Sequence, residues 1–185
     1  SSWSEQFQVI VVDLVGHGKT ESPEDVAHYD IRNVALQMKE LLDYLHIEKV
    51  HILGYSMGGR LAITMACLYP DYVHSLLLEN CTAGLEDEAD RKERLANNPK
   101  GLANSLRGMG TGAQPSWWDE LKNLKIPVLL MNGEYDEKFF RILKNIENCV
   151  SDAKFVKIDG AGHAIHVEQP EKFDTIVKGF LKTMQ

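Results

Sequence analysis

The sequence predicts an α/β fold in which a mostly parallel sheet carries helices on both faces. Three observations support this. Short runs rich in Val, Ile and Leu alternate with helical periods along most of the chain, as βαβ units require. Their continuous stretches of Val, Ile and Leu suit strands covered on both sides. One of them passes through a tight, glycine-bounded turn directly into a helix.

Taken in order, the first strand is expected at Gln8 to Asp13. A helix follows over Ile31 to Leu45, with Ile31, Val34, Leu36, Met38, Leu41, Leu42 and Leu45 near one stripe. Val50 to Leu53 reads as a strand and Met57 to Tyr69 as a second helix. Ser75 to Glu79, Ile126 to Met131 and Lys154 to Ile158 read as further strands. The last helix opens at Pro170 and puts Phe173, Ile176, Val177, Phe180 and Leu181 on one face. Between Thr82 and Leu124 the alternation stops. That stretch holds a charge run from Glu86 to Arg94, a glycine-rich passage from Leu106 to Gly112, and Pro115-Ser116-Trp117-Trp118. It reads as a cap insertion over 82–124, following the Ser75 to Glu79 strand within a single domain spanning 1–185. The charge run suits a solvated helix face, and the tryptophan pair suits packing.

Composition narrows the function classes. A chain of 185 residues can bury one substantial core, and no apolar run approaches the roughly 20 residues of a membrane helix. A net charge of −7 disfavours nucleic acid and anionic membrane as partners, since either would select a basic face. Cys67, Cys81 and Cys149 are widely spaced and lack a CxxC pair, so they read as reduced thiols of a cytoplasmic protein. The N-terminal residues show no basic patch followed by an apolar leader. A monomer acting on a small molecule is the expectation.

The chemistry centres on Gly54-Tyr55-Ser56-Met57-Gly58, a G-x-S-x-G between a strand and a helix. A serine on such a turn is pushed out above the sheet, and glycines two residues to either side relieve the close approach of strand and helix. The Met57 N–H, at the helix N-terminus, can stabilise a developing oxyanion. A serine hydroxyl needs an imidazole to take its proton and an acid to orient that imidazole. In this architecture both partners follow the serine on loops after later strands. Asp136 and His163 stand at such strand ends. Asp136 is preferred over Glu134 because it lies further along its loop, and His163 over His166 because two glycines precede it. His166 is then a packing or supporting residue. His17 reads as a turn residue bordering the site, and His28, His46, His51 and His74 as surface or structural. Arg60 lies one helical turn after Ser56 on the same face. It faces either an anionic ligand or a nearby carboxylate, and Arg107 is a second candidate anion contact.

Asp13-Leu14-Val15-Gly16-His17-Gly18, the Ser56 segment, Gly133-Glu134-Tyr135-Asp136 and Gly160-Ala161-Gly162-His163 together resemble the α/β-hydrolase fold family. Ser56-Met57-Gly58-Gly59-Arg60, with Ser105 to Gly112 and Gln114 to Trp118, resembles a narrower family. These are the 2-succinyl-6-hydroxy-2,4-cyclohexadiene-1-carboxylate synthases of menaquinone biosynthesis. That resemblance implies elimination of pyruvate from a cyclohexene substrate bearing several carboxylates. It implies that Ser56, activated by His163 and Asp136, abstracts a carbon-bound proton. It further implies that Tyr55, Arg60 and Arg107 line the pocket and that neither metal nor organic cofactor takes part. A carboxylesterase or thioesterase working through an acyl-Ser56 intermediate is the alternative, and a non-catalytic ligand-binding member of the fold is a third reading. The chain departs from the family pattern in three places. Val15 stands where proline is usual. The strand preceding Gln8 to Asp13, whose loop would supply a second oxyanion amide, has no counterpart. The passage from Glu86 to Leu95 is abrupt, so residues are expected to be missing between Thr82 and Leu102.

Overall fold

The computed structural model describes residues 3–84 and 114–184. The strands among the described residues are β1 (Val50–Tyr55), β2 (Val73–Glu79), β3 (Val128–Gly133) and β4 (Ala153–Ile158). They form one sheet in the order β1-β2-β3-β4, and each neighbouring pair is parallel. The longer helices are α1 (Ile31–Tyr44), α2 (Met57–Leu68), α4 (Glu137–Cys149) and α6 (Pro170–Lys182). Two single turns, α3 (Trp118–Leu121) and α5 (Ile165–Glu168), lie between them in sequence. No helix among the described residues is long and apolar enough to cross a membrane.

Period-two alternation in β2 and β3 divides the core between the two faces of the sheet. Leu76, Leu78, Val128 and Leu130 join Ile31, Val34, Ile63, Leu143 and Ile146 under α1, α2 and α4. Leu77, Leu129 and Met131 point the other way, onto Ile165, Phe173, Val177 and Phe180 of α5 and α6. Burial on both faces is why Leu76 to Leu78 and Val128 to Met131 are apolar at every position. Asp30 starts α1 by accepting the Arg32 N–H at 2.9 Å. β3 begins at Val128 rather than Ile126, because Pro127 has no N–H to give to a ladder.

Two expectations are corrected. Gln8 to Asp13 forms neither helix nor strand and pairs with no strand among the described residues. An apolar run becomes a strand only when a neighbour accepts its hydrogen bonds, and none among the described residues pairs with the outer edge of β1. The end of the 82–124 stretch is built into the layered core. Trp117, Leu121 and Leu124 belong to the cluster under α2, and Trp117 Nε1 donates to Thr64 Oγ1 at 2.9 Å. The tryptophans therefore pack, but against the core rather than within a cap. The charge run, the glycine-rich passage and the expected break between Thr82 and Leu102 fall on or across residues 85–113, outside the described residues.

Candidate active site

Ser56 is held in a conformation that few L-residues adopt, with φ 49° and ψ −107°, between the end of β1 and the start of α2. Its N–H donates to the Glu79 carbonyl at 2.9 Å, which ties the turn to the end of β2. Such strain persists only where the surroundings over-determine it, and it aims the hydroxyl away from the sheet. On the strand side Gly54 is required as expected, whereas on the helix side the requirement moves from Gly58 to Gly59. A Cβ on Gly54 would lie 2.5 Å from the Gly58 carbonyl oxygen, and one on Gly59 would lie 2.4 Å from Cys81 Cβ. Gly58 faces open space. The close helix–strand approach thus runs through Gly59, because that face of α2 meets the chain leaving β2. Met57 N–H, in the first turn of α2, is among the amides that have no partner within their own helix.

Asp136 and His163 are brought together from different strand ends. His163 Nδ1 and Asp136 Oδ2 are 2.6 Å apart. The acceptor is a carboxylate, so the shared proton belongs on Nδ1 and leaves Nε2 as the basic nitrogen. Asp136 is also the N-cap of α4, its Oδ1 accepting the Phe139 N–H at 3.3 Å. The His163 ring lies between the rings of Tyr55, at 5.1 Å, and Phe139, at 4.9 Å. The imidazole therefore packs on the side chain of Tyr55, the residue that immediately precedes Ser56. Among the described residues no hydrogen bond joins the Ser56 hydroxyl to the ring. Such contacts are commonly loose without substrate.

The rejected alternatives have other tasks. Glu134 Oε2 accepts the Gly160 N–H at 2.9 Å, supporting the loop before His163. His166 Nδ1 lies 2.9 Å from Glu79 Oε2, and its ring meets Tyr55 at 4.9 Å and Phe173 at 5.9 Å. His17 closes its own turn, with Nδ1 at 3.1 Å from the Val15 carbonyl oxygen. Tyr55 is partly exposed between the two imidazoles. Burial, and then the charges of Glu79, Asp136 and Glu168, raise its phenol above the ordinary tyrosine value. Arg60 is partly buried in the first turns of α2. Burial lowers its guanidinium from the ordinary arginine value, while Cys81 acts in the opposite sense. Arg107 lies outside the described residues.

Sequence reasoning missed α4 and three buried polar residues at strand ends, Glu79, Asn80 and Asn132. Asn80 was detectable as the second of two polar residues that close an apolar run. Asn132 was detectable as a polar residue just inside the end of the β3 run.

A serine on a strained strand-to-helix elbow beside a carboxylate–imidazole pair defines a class. The model of the α/β-hydrolase fold family matches residues 2–96, and this chain belongs to that family. It is also similar to a Bacillus subtilis (strain 168) protein carrying the provisional name 2-succinyl-6-hydroxy-2,4-cyclohexadiene-1-carboxylate synthase. The two are 34% identical over 96% of this chain and 82% of the relative. The 224 aligned positions exceed the 185 residues of the chain, so the relative has internal residues without a counterpart here. The synthase of Photorhabdus laumondii is 27% identical over 95% of this chain and 77% of its own length. Among solved structures, MenH from S. aureus superposes with a TM-score of 0.81 at 28% identity, covering 93% of this chain and 82% of that one. A Thermogutta terrifontis esterase gives 0.82 at 22% identity, covering 97% and 81%, a likeness of fold. The chain is an enzyme of the α/β-hydrolase superfamily, similar to these synthases.

Proposed function

We propose that this enzyme is a lyase of menaquinone biosynthesis. It eliminates pyruvate from 2-succinyl-5-enolpyruvyl-6-hydroxy-3-cyclohexene-1-carboxylate. The observation that supports this most is the 2.6 Å Asp136–His163 pair beside the Ser56 elbow, in a chain similar to synthases of that name. His163 Nε2 takes the Ser56 proton as Ser56 Oγ removes a carbon-bound proton from the ring. The electron pair released moves through the ring and breaks the carbon–oxygen bond to the enolpyruvyl group. Pyruvate departs as its enolate and is then protonated on carbon. The Met57 N–H, which would serve an acyl oxyanion in a hydrolase, serves the enolate oxygen here. Arg60 and Arg107 are assigned to substrate carboxylates and Tyr55 to the pocket wall. The reaction so written balances without a cofactor and suits a cytoplasmic monomer.

The test supplies the cyclohexene intermediate and, separately, a neutral aryl ester, following pyruvate release and ester cleavage. Ser56→Ala is expected to abolish pyruvate release while substrate binding persists, because the hydroxyl acts mainly in the transition state. Arg60→Ala is expected to weaken binding by roughly one to two orders of magnitude, the worth of a charge-assisted contact of about 1.5–3 kcal/mol. Ester turnover that survives Arg60→Ala, with no pyruvate from the intermediate, would instead make the protein an esterase acting through acyl-Ser56.

A further inference from the structure

The loop that carries His163 is gripped from the sheet by polar residues to which the chemistry above gives no task. Asn80, directly after β2, is 0% exposed, and its Nδ2 donates to the carbonyls of His163 at 2.7 Å and Gly162 at 3.2 Å. Its Oδ1 accepts from Asn132 Nδ2 at 2.9 Å. Asn132, in β3 and also 0% exposed, donates from the same nitrogen to the Asp136 carbonyl at 3.1 Å. One amide thus holds the backbone of the base, the other holds the backbone of the acid, and the two hold each other. At the far end of the loop, Glu79 accepts the His166 N–H at 3.2 Å and lies 2.9 Å from its Nδ1.

A bonded pair of buried amides adds little net stability over apolar residues of the same shape, although leaving either one unpaired is costly. Geometry is what the pair supplies. Asp136 and His163 sit on loops after β3 and β4, connected through the chain only by way of α4 and β4. Their separation must be kept to a fraction of an ångström for Nε2 to meet the serine, and a misplacement of about 1 Å can cost 100-fold in rate. The Asn80 backbone, at φ 41°, turns into the left-handed region that asparagine tolerates, placing its amide below both carbonyls.

We infer that Asn80 and Asn132, with Glu79 at the far end of the loop, are positioning residues. They set the His163–Asp136 geometry and keep Nε2 directed at the Ser56 turn. This rests on the reading that His163 serves Ser56.

Asn80→Gly removes the amide without straining that backbone, and Asn132→Ala removes the second amide while leaving the Asn80 bonds to the loop. Each full-length variant is compared with wild type by kcat and KM for pyruvate release, by thermal unfolding, and by the low-field NMR resonance of the His163 Nδ1 proton. That signal is assigned by its loss in His163→Ala and needs no substrate. The expected result is a fall in kcat of about 10- to 100-fold, with KM changed less than about threefold and the resonance broadened or moved. Added to His163→Ala, the same substitutions should leave the residual rate unchanged within about twofold, because they act through the imidazole. Variants that unfold earlier but keep wild-type kcat and an unmoved resonance overturn the proposal and leave the amides a purely structural task. So does a further loss of rate in the His163→Ala background. If Asn80→Gly fails to fold, the Asn132→Ala resonance decides. Failure of the underlying reading would look different, since His163→Ala would then retain turnover.

Discussion

Gln8 to Asp13 and Val73–Glu79 are two apolar runs that each end in an acid, and the molecule treats them in opposite ways. The second is laddered on both sides, and Leu76, Leu77 and Leu78 are buried to 1% exposure or less. The first has no ladder among the described residues, and its Val11 is 89% exposed. Their terminal acids diverge in the same way. Asp13 stays exposed and accepts the Lys19 N–H at 3.0 Å within its own turn. Glu79 is buried and reaches across the chain to His166. Composition made both segments candidates for strands, and neighbours decided which became one. Only the end of the paired strand could become part of a site, because only there do several loops converge at fixed distances.

The largest effect expected from this contrast is on turnover. His163→Ala should lower kcat by at least about 1,000-fold, the scale of losing the base of a serine–histidine system. His17→Ala, in the turn after the first run, should change kcat less than about threefold. Steady-state kinetics on both variants checks this, and a large His17 effect would place the first turn inside the working site.

A smaller effect is expected on stability. Leu78→Ala removes a side chain that is 1% exposed from the core under α2, and should cost about 2–5 kcal/mol. Val11→Ala should stay within about 0.5 kcal/mol, since little of that side chain is packed. Urea unfolding of the two variants measures the difference. A Val11 cost near that of Leu78 would mean that the first run is packed in solution.

The smallest effect is a pH dependence arising beside the second run. Burial pushes the Cys81 thiol, two residues after Glu79, up to about 12, and Cys67 on α2 is likewise pushed up to about 12. Unfolded, both titrate near the ordinary value of 9.0. The native state therefore keeps protons that the unfolded chain gives up. Stability from this source is complete below pH 9 and declines as pH rises from there toward 12. Unfolding midpoints measured between pH 8 and 11 should fall, and Cys81→Ala should flatten the slope. An unchanged slope would mean that Cys81 ionises as readily folded as unfolded.

Much of this protein can be read from local signals. The strand at Val50, the G-x-S-x-G turn and the helix after it form one contiguous stretch, so Ser56 is visible without any tertiary knowledge. Asp136 and His163 could be chosen because parallel strands end on the same side of a sheet, which makes strand-end loops neighbours whatever their distance in sequence. Packing decided the rest. Whether Gly58 or Gly59 must be glycine depends on which side of α2 meets Cys81, and whether Gln8 to Asp13 is a strand depends on a neighbour. The roles of Glu79, Asn80 and Asn132 depend on contacts across 87, 83 and 52 positions of sequence. The physical reason is range. Hydrophobic period and turn chemistry act over a few residues and are written where they act, so the sequence alone determined most of the elements and the serine elbow, though not α4 or the fate of Gln8 to Asp13. A buried hydrogen bond is specified jointly by two distant residues and the space between them, so only the tertiary structure decided what holds the base and the acid in place.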